Sequence, residues 1–388
     1  ENMATTSTGP DPIYLDHNAT TPVGPEVTEA ILPWLRKHFG NPSSAHVYGR
    51  RAHAAVEKAR EQVSNLLGCS PEEVYFTSGG TEANNLAILG VGEARTETPA
   101  QIVTSTVEHP ATVCPCERLE RKGCNIVKLP VDAEGAVSSD ELKERIDGNT
   151  ALVTIMHANN ETGTVMPIRL LAEIARENGA LVHTDAAQSV GKIPVRVDDL
   201  GVDLLSVAGH KVYAPKGIGA LYVRRGTPVK PVLLGAGHER GLRPGTENVP
   251  YIVGLGKACE IATNRLEEDT VRIAGLRDRL WGRLRAEIPG IRLNGHTSKR
   301  LPNTLNVSFP GIRGSALLEA APMVAASTGS ACHEGGESPS PVLLAMGLEP
   351  EVALEAVRLS LGRGTTETQI EEAADTLIRA WKEVPIRE

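Results

Sequence analysis

Short apolar runs alternate along this chain with longer segments whose apolar residues recur at helical spacing. The runs predict strands over 101–105, 125–129, 151–156 and 180–184. The segments between them predict helices over 111–122, 139–146 and 169–178. Upstream, 25–39 and 51–67 read as helices that stop at Gly40 and Gly68. Strands alternating with amphipathic helices predict a mostly parallel sheet covered on both faces. From Gly235 the pattern changes. A long loop carrying His238, Arg240 and Arg243 leads to a helix over 249–263 and then a separate amphipathic helix (Leu266, Val271, Ile273, Leu276, Leu280, Leu284). Short helices and antiparallel-looking strands follow, so a domain change is expected near residue 262. The chain divides into 22–261 as a large domain, with 1–21 and 262–388 as a small one.

In such a sheet, functional residues lie just past the strand ends. Those ends read Glu108-His109-Pro110, His157-Ala-Asn-Asn160 and His183-Thr-Asp185. Another run, Val202 to Val207, leads into Gly209-His210-Lys211 and a turn rich in Gly and Pro. A lysine delivered by a buried strand is rigid and partly desolvated, which favours a neutral amine able to condense with a carbonyl. On that stretch alone, a surface lysine in a hairpin is the simpler reading. Val74-Tyr-Phe-Thr-Ser-Gly-Gly-Thr81 passes from a strand through glycines into a helix starting near Thr81. That geometry offers free N–H groups to a phosphate, with Gly79 and Gly80 permitting close approach; it also fits an ordinary capped turn.

The balance of 40 Lys+Arg against 48 Asp+Glu is mildly acidic, which disfavours nucleic acid as a partner. No apolar run approaches a membrane span. The polar N-terminus lacks a secretion signal, Met3 reads as the natural start, and a cytoplasmic location is expected. Six irregularly spaced cysteines fit a reducing compartment. The Cys114-Pro-Cys116 pair has no matching second pair, so no metal is expected.

Pyridoxal phosphate needs a lysine, a carboxylate for its pyridine nitrogen, a phosphate cup and a flat residue against its ring. Lys211, Asp185, the Ser-Gly-Gly-Thr81 turn and His109 supply these four parts from strand ends of one sheet. With Thr77-Ser-Gly-Gly-Thr-Glu82, Asn159-Asn-Glu-Thr-Gly163, Asp185-Ala-Ala-Gln-Ser189, Gly209-His-Lys211, Arg243-Pro-Gly-Thr246 and Gly329-Ser-Ala-Cys332, the chain resembles the class V, fold-type I pyridoxal phosphate enzymes, and among them the cysteine desulfurases. The resemblance covers nearly the whole chain. It implies an α/β fold, with a large domain built on a mostly parallel sheet and a smaller α+β domain.

By the same resemblance, Lys211 carries the cofactor and Asp185 pairs with its pyridine nitrogen. His109 stacks on the ring, Gln188 bonds the phenolic oxygen, and Gly80, Thr81 and His210 hold the phosphate. Thr246 reaches the phosphate of the other subunit of a homodimer. Asn160 and Arg358 grip the substrate carboxylate, Arg358 through its planar fork. Cys332 attacks the sulfur of L-cysteine, keeps it as a persulfide and passes it to an acceptor protein or thiol, with L-alanine released. The Gly- and Ser-rich surroundings of Cys332, with His333 beside it, suit a reactive thiol better than a core cysteine.

Two departures stand out. Cysteine desulfurases generally have Ser before Gly-His-Lys, where this chain has Ala208. Cys332-His333 and Pro339-Ser-Pro-Val-Leu-Leu344 resemble selenocysteine lyases, which keeps L-selenocysteine open as the substrate. Pro110 after His109 matches desulfurases of the nitrogen-fixation type. An aminotransferase would have no need of Cys332, and a non-catalytic regulator lacks a DNA-binding module.

Overall fold

The computed structural model describes residues 11–94, 100–329 and 338–384, together with the backbone of 332–333 and 336–337. The chain opens with Ile13–Tyr14 (β1), Pro25–Arg36 (α1) and Val47–Leu67 (α2). Strands Val74–Thr77 (β2), Gln101–Ser105 (β3), Asn125–Leu129 (β4), Thr150–Thr154 (β5), Leu181–Asp185 (β6), Leu204–Ala208 (β7) and Gly219–Val223 (β8) form one seven-stranded sheet. Its order is β2-β8-β7-β6-β5-β3-β4. Only β8 runs antiparallel to its neighbours. Helices Gly80–Ala94 (α3), Pro110–Arg121 (α4), Ser139–Arg145 (α5), Ile168–Glu177 (α6) and the short Val197–Leu200 (α7) make the crossovers.

Alternation within the strands explains the three layers. Ile102, Leu152, Leu204 and Leu221 face α3 and α4, packing with Leu86, Leu89 and Leu119. Their neighbours Val103, Val153, Leu205 and Ala220 belong to the opposite core, with Val56 and Val63 of α2 and Leu171 of α6. Successive strand residues point to opposite faces, so a strand buried on both sides is apolar throughout. The expected strands and helices of this region all form, with ends shifted by at most a few residues.

The region after residue 249 differs from expectation in one respect. Instead of two helices, Val249–Glu287 is a single 39-residue helix, α8. Thr263-Asn264-Arg265 contains neither Gly nor Pro to interrupt it. Its first half (Ile252, Leu255, Ala258, Ala262) packs against α1 and α2 in the large domain's core. Its second half (Ile273, Leu276, Leu280, Leu284) enters a separate core. That core covers the antiparallel sheet of Arg292–Asn294 (β9), Thr304–Ser308 (β10) and Ala356–Ser360 (β14), and includes Ile13 and Leu15. β1 pairs in parallel with Val324–Ala325 (β11). We propose the division into 22–261 and 1–21 plus 262–388 on this basis, with the boundary inside α8. Cys332–His333 (β12) and Gly336–Glu337 (β13) pair antiparallel. No helix among the described residues is long and apolar enough to cross a membrane.

Candidate active site

Strands β2, β3, β5, β6 and β7 all point the same way, so their C-terminal ends meet at one edge of the sheet. A cavity of about 790 Å³ opens there. Gly80, Thr81, His109, Asn160, Asp185, Gln188, His210, Lys211 and Arg358 all reach its wall. Thr246 does not; it lies exposed on the loop before α8. The side chains of Cys332 and His333 lie outside the described residues. His157 and His183, at expected strand ends, are buried away from the cavity and are bound by Ser189 (2.9 Å) and by Thr154 and Ser206 (2.8 and 2.9 Å). Burial pushes their pKa values down to about 4 and about 3. They are uncharged cross-links between strands.

Lys211 follows β7 through a single helical turn, Gly209–Lys211. A Cβ on Gly209 would fall 2.7 Å from the Ile218 carbonyl oxygen, so only glycine allows this close turn. Two residues beyond the lysine, Tyr213 takes φ +68°, a strained value for a side chain of its size. It is held there by its N–H on Thr21 Oγ1 (3.0 Å), by the Arg363 N–H donating to its hydroxyl (2.6 Å), and by the Arg363 guanidinium over its ring. Lys211 Nζ donates to the carbonyls of Asn18 and of Ala19, the latter at 2.7 Å. Burial, with Arg358 adding to it, brings its pKa down to about 8. The neutral amine is therefore accessible near neutral pH.

Asp185 ends β6 and presents an ordered carboxylate. Asn84 Nδ2 of α3 donates to Oδ2 at 2.7 Å, and the Ala187 N–H donates to Oδ1 at 2.9 Å. His109 caps α4, its Nδ1 accepting from the Ala111 N–H at 3.1 Å, which leaves the hydrogen of the neutral ring on Nε2. Burial lowers its pKa, with Lys211 contributing. Beside it, Glu108 is buried and accepts from Ser105 Oγ (2.6 Å) and the Met156 N–H (3.0 Å). Burial raises its pKa to about 8. Glu108 ties the ends of β3 and β5 together beneath the cavity.

The glycine turn before α3 has the geometry a phosphate requires. A Cβ on Gly79 would meet no atom within 4 Å, so the backbone there faces open space. A Cβ on Gly80 would stand 3.1 Å from Cβ of Ala208, which places the departure at Ala208 directly against the turn. His210, pushed down to about 4 mainly by burial, contacts Thr20 Oγ1 at 3.2 Å. Lys216 also lines the wall.

Arg358 lies on β14 and is buried. Its Nη1 donates to the Asn160 carbonyl (3.2 Å) and Nη2 to Asp16 Oδ1 (2.8 Å), while buried Nε has no partner. The fork is thus partly engaged by Asp16, and its remaining donors are open. Asn84 Oδ1 is likewise buried without a partner. An anion-friendly turn, an ordered carboxylate, a neutral imidazole, a depressed lysine and two orphaned polar atoms around one cavity fit pyridoxal phosphate and an amino acid substrate.

Sequence reasoning missed Asn84, Glu108, Lys192 and above all Asn18. Asn18 Nδ2 donates to the Asn160 carbonyl and Thr304 Oγ1, its Oδ1 accepts from Lys192 and Asn303, and its own carbonyl accepts from Lys211 and Gln188. The signal was the polar run Asp16-His-Asn18 placed directly after an apolar strand.

Residues 13–372 match the family described as aminotransferase class-V. A protein named cysteine desulfurase from Trichormus azollae is 49% identical over 367 residues, covering 94% of this chain and 92% of that one. The cysteine desulfurase IscS of Dictyoglomus turgidum is 46% identical, covering 95% and 94%. A solved NifS-like protein superposes with a TM-score of 0.91 at 38% identity, over 96% of this chain and all of that one. The fold, the strand-end cavity and these likenesses agree: the chain belongs to the class-V aminotransferase family, alongside the cysteine desulfurases.

Proposed function

We propose that this protein is a cysteine desulfurase that uses pyridoxal phosphate to take sulfur from L-cysteine, with release of L-alanine. The observation that carries this reading is the convergence of Lys211, Asp185 and His109 on one cavity from three strand ends. When bound, the cofactor supplies a carbonyl for the amine and a protonated ring that withdraws electrons from the substrate Cα.

The rest falls to the protein. Lys211 would hold the cofactor through its amine and would take the Cα proton of the bound substrate; a base with a pKa near 8 suits that work at neutral pH. Asp185, oriented by Asn84 and the Ala187 N–H, would pair with the ring nitrogen. His109 lays a neutral ring against the cofactor. Gly80, Thr81, His210 and the open backbone at Gly79 hold the phosphate, with Thr246 donated from the second subunit of a homodimer. Gln188 bonds the phenolic oxygen. Asn160 and the open donors of Arg358 orient the substrate carboxylate.

The Cys332 thiolate attacks the substrate sulfur. An S–S bond forms as the Cβ–S bond breaks, and the electron pair of that bond leaves with the three-carbon fragment, which takes up a proton at Cβ and regains one at Cα from Lys211 to become alanine. The sulfur on Cys332 then passes to an acceptor protein or thiol.

Selenocysteine lyase is not favoured. The two relatives reported above are named desulfurases over nearly their whole length. The Pro339-Ser-Pro-Val-Leu-Leu344 run also has a structural explanation. Ser340 caps the helix Pro341–Ala345 by accepting from the Leu343 N–H (3.3 Å), with Pro341 in the first helical position.

The test is alanine release from L-cysteine with mass spectrometry of Cys332. The parent is expected to release alanine and carry one extra sulfur on Cys332. C332A should bind cofactor and form no persulfide. Alanine and sulfide released by C332A at the parent rate would refute the persulfide role, and pyruvate in place of alanine would replace the reading with a β-lyase.

A further inference from the structure

Lys192 lies behind the cavity wall, on the turn that follows β6. Its Nζ donates to Gln188 Oε1 at 2.8 Å and to Asn18 Oδ1 at 3.1 Å. The backbone is pinned as well: its N–H donates to the Ser189 carbonyl (3.0 Å), and its carbonyl accepts from Thr270 Oγ1 of α8 (2.8 Å). No ion pair to Lys192 exists among the described residues. The charges acting on it are the cations Lys211 and Arg358, which add to burial in holding its pKa well below that of an ordinary lysine. Across a narrow cleft lie His17, Asp269 and Arg363. His17 is kept neutral by burial, and the Asp269 carboxylate is engaged by Arg363 (3.0 Å) and Arg265 (3.4 Å). A half-buried lysine with two cations near it and no counter-ion costs stability, so packing alone does not account for it.

The Lys192 amino group, with at least two hydrogens, can donate to both Gln188 Oε1 and Asn18 Oδ1. Gln188 turns Oε1 toward it. Its Nε2 donates the other way, to the backbone carbonyl of Asn18 at 3.0 Å, and a carbonyl can only accept. Both partners impose the same orientation on the amide. One Nε2 hydrogen remains, and Gln188 borders the cavity.

We propose that Lys192 is a positioning residue: it locks the Gln188 amide with its N–H toward the cavity and polarises that N–H, so that Gln188 donates a hydrogen bond to the cofactor's phenolic oxygen and holds that oxygen as an anion. The inference rests on the pyridoxal phosphate reading above. Without Lys192, the amide is free to flip and present a carbonyl, which repels an anionic oxygen.

The test follows the pH titration of the visible absorption band of the holoenzyme, which reports the protonation of the bound cofactor independently of turnover. Freeing the Gln188 amide takes its N–H away from the phenolic oxygen and makes protonation easier. K192M should therefore shift the midpoint upward by about one pH unit, a tenfold change in proton affinity. K192R, which keeps a donor facing Gln188, should titrate like the parent. In a Q188A background, K192M should shift the midpoint little further, because Lys192 acts through Gln188. Should K192M not fold, K192L gives a second side chain without a donor for the same measurement. An unshifted titration in the neutral variant would overturn the proposal, as would a full shift that survives in Q188A. A parent protein with no visible band after incubation with pyridoxal phosphate would instead overturn the cofactor reading and this inference with it.

Discussion

Asn84 Nδ2 lies 2.7 Å from Asp185 Oδ2, joining the first turns of α3 to the end of β6 inside the core. The contact decides how the carboxylate stands, because its other donor, the Ala187 N–H, binds only Oδ1. A hydrogen bond to a charged group is worth about 1.5–3 kcal/mol. N84L should therefore weaken cofactor binding by roughly 10- to 100-fold, measured by absorbance titration of the apoprotein, with the fold retained by circular dichroism. Affinity equal to the parent would remove Asn84 from the site.

The depressed pKa of Lys211 has consequences for loading and for stability. Cofactor condensation requires the neutral amine, so its rate in the apoprotein should climb through pH of about 8, followed by the growth of the visible band. K211A should show no such covalent band at any pH. In the unfolded chain the lysine returns toward its ordinary value of 10.5 and binds its proton more tightly. Between about 8 and 10.5 the unfolded state therefore holds more protons, and the Lys211 contribution makes the apoprotein more stable as pH rises. The difference in melting temperature between parent and K211M, measured across that window, isolates it.

Ala208 stands against the phosphate turn, where a hydroxyl would gain a partner. A208S should tighten cofactor binding by one ordinary hydrogen bond, about 0.5–1.5 kcal/mol, read as a lower dissociation constant. G80A tests the same contact from the other side. Its new methyl would sit 3.1 Å from Ala208 Cβ, so the turn must shift, and both melting temperature and cofactor affinity should fall.

The loop bearing Thr246 is anchored by a buried pair. Arg60 Nη1 and Nη2 donate to the Glu239 carboxylate, each at 2.8 Å, and Glu239 also accepts from the Phe76 N–H of β2. Glu239 and Arg240 both have positive φ, a strained backbone that these bonds hold in place. E239A would leave buried Arg60 with only the half-exposed Glu57 (3.2 Å) and the Val74 carbonyl (2.7 Å), with an expected loss toward the lower end of about 3–5 kcal/mol in denaturant unfolding. A loss under about 1 kcal/mol, the range of an exposed pair, would show that the loop is anchored elsewhere.

The local chemistry of the sheet was legible without coordinates. Ile102-Val103, Leu152-Val153 and Leu204-Leu205 are apolar on both faces, which only a covered parallel sheet explains, and the strand ends they predict carry His109, Asp185 and Lys211. Periodicity and turn chemistry are local, so they survive in the sequence. The join within α8 did not, because Thr263 to Arg265 carries no periodic signal of its own, and a helix there depends on what each half packs against.

What the sequence determined by itself was the type and order of the elements and which residues leave them at the cavity edge, since side-chain alternation and glycine turns obey short-range rules. The tertiary structure alone decided how those residues are held. Asn18 binds Lys211, Gln188, Lys192 and Asn303 at separations of 170 to 285 positions. Asp16 occupies part of the Arg358 fork from 342 positions away, and His157 and His183, which stand at strand ends near the cavity edge in sequence, serve as strand cross-links. Hydrogen bonds of that span depend on how the chain closes in space, and no local pattern of apolar and polar residues encodes them.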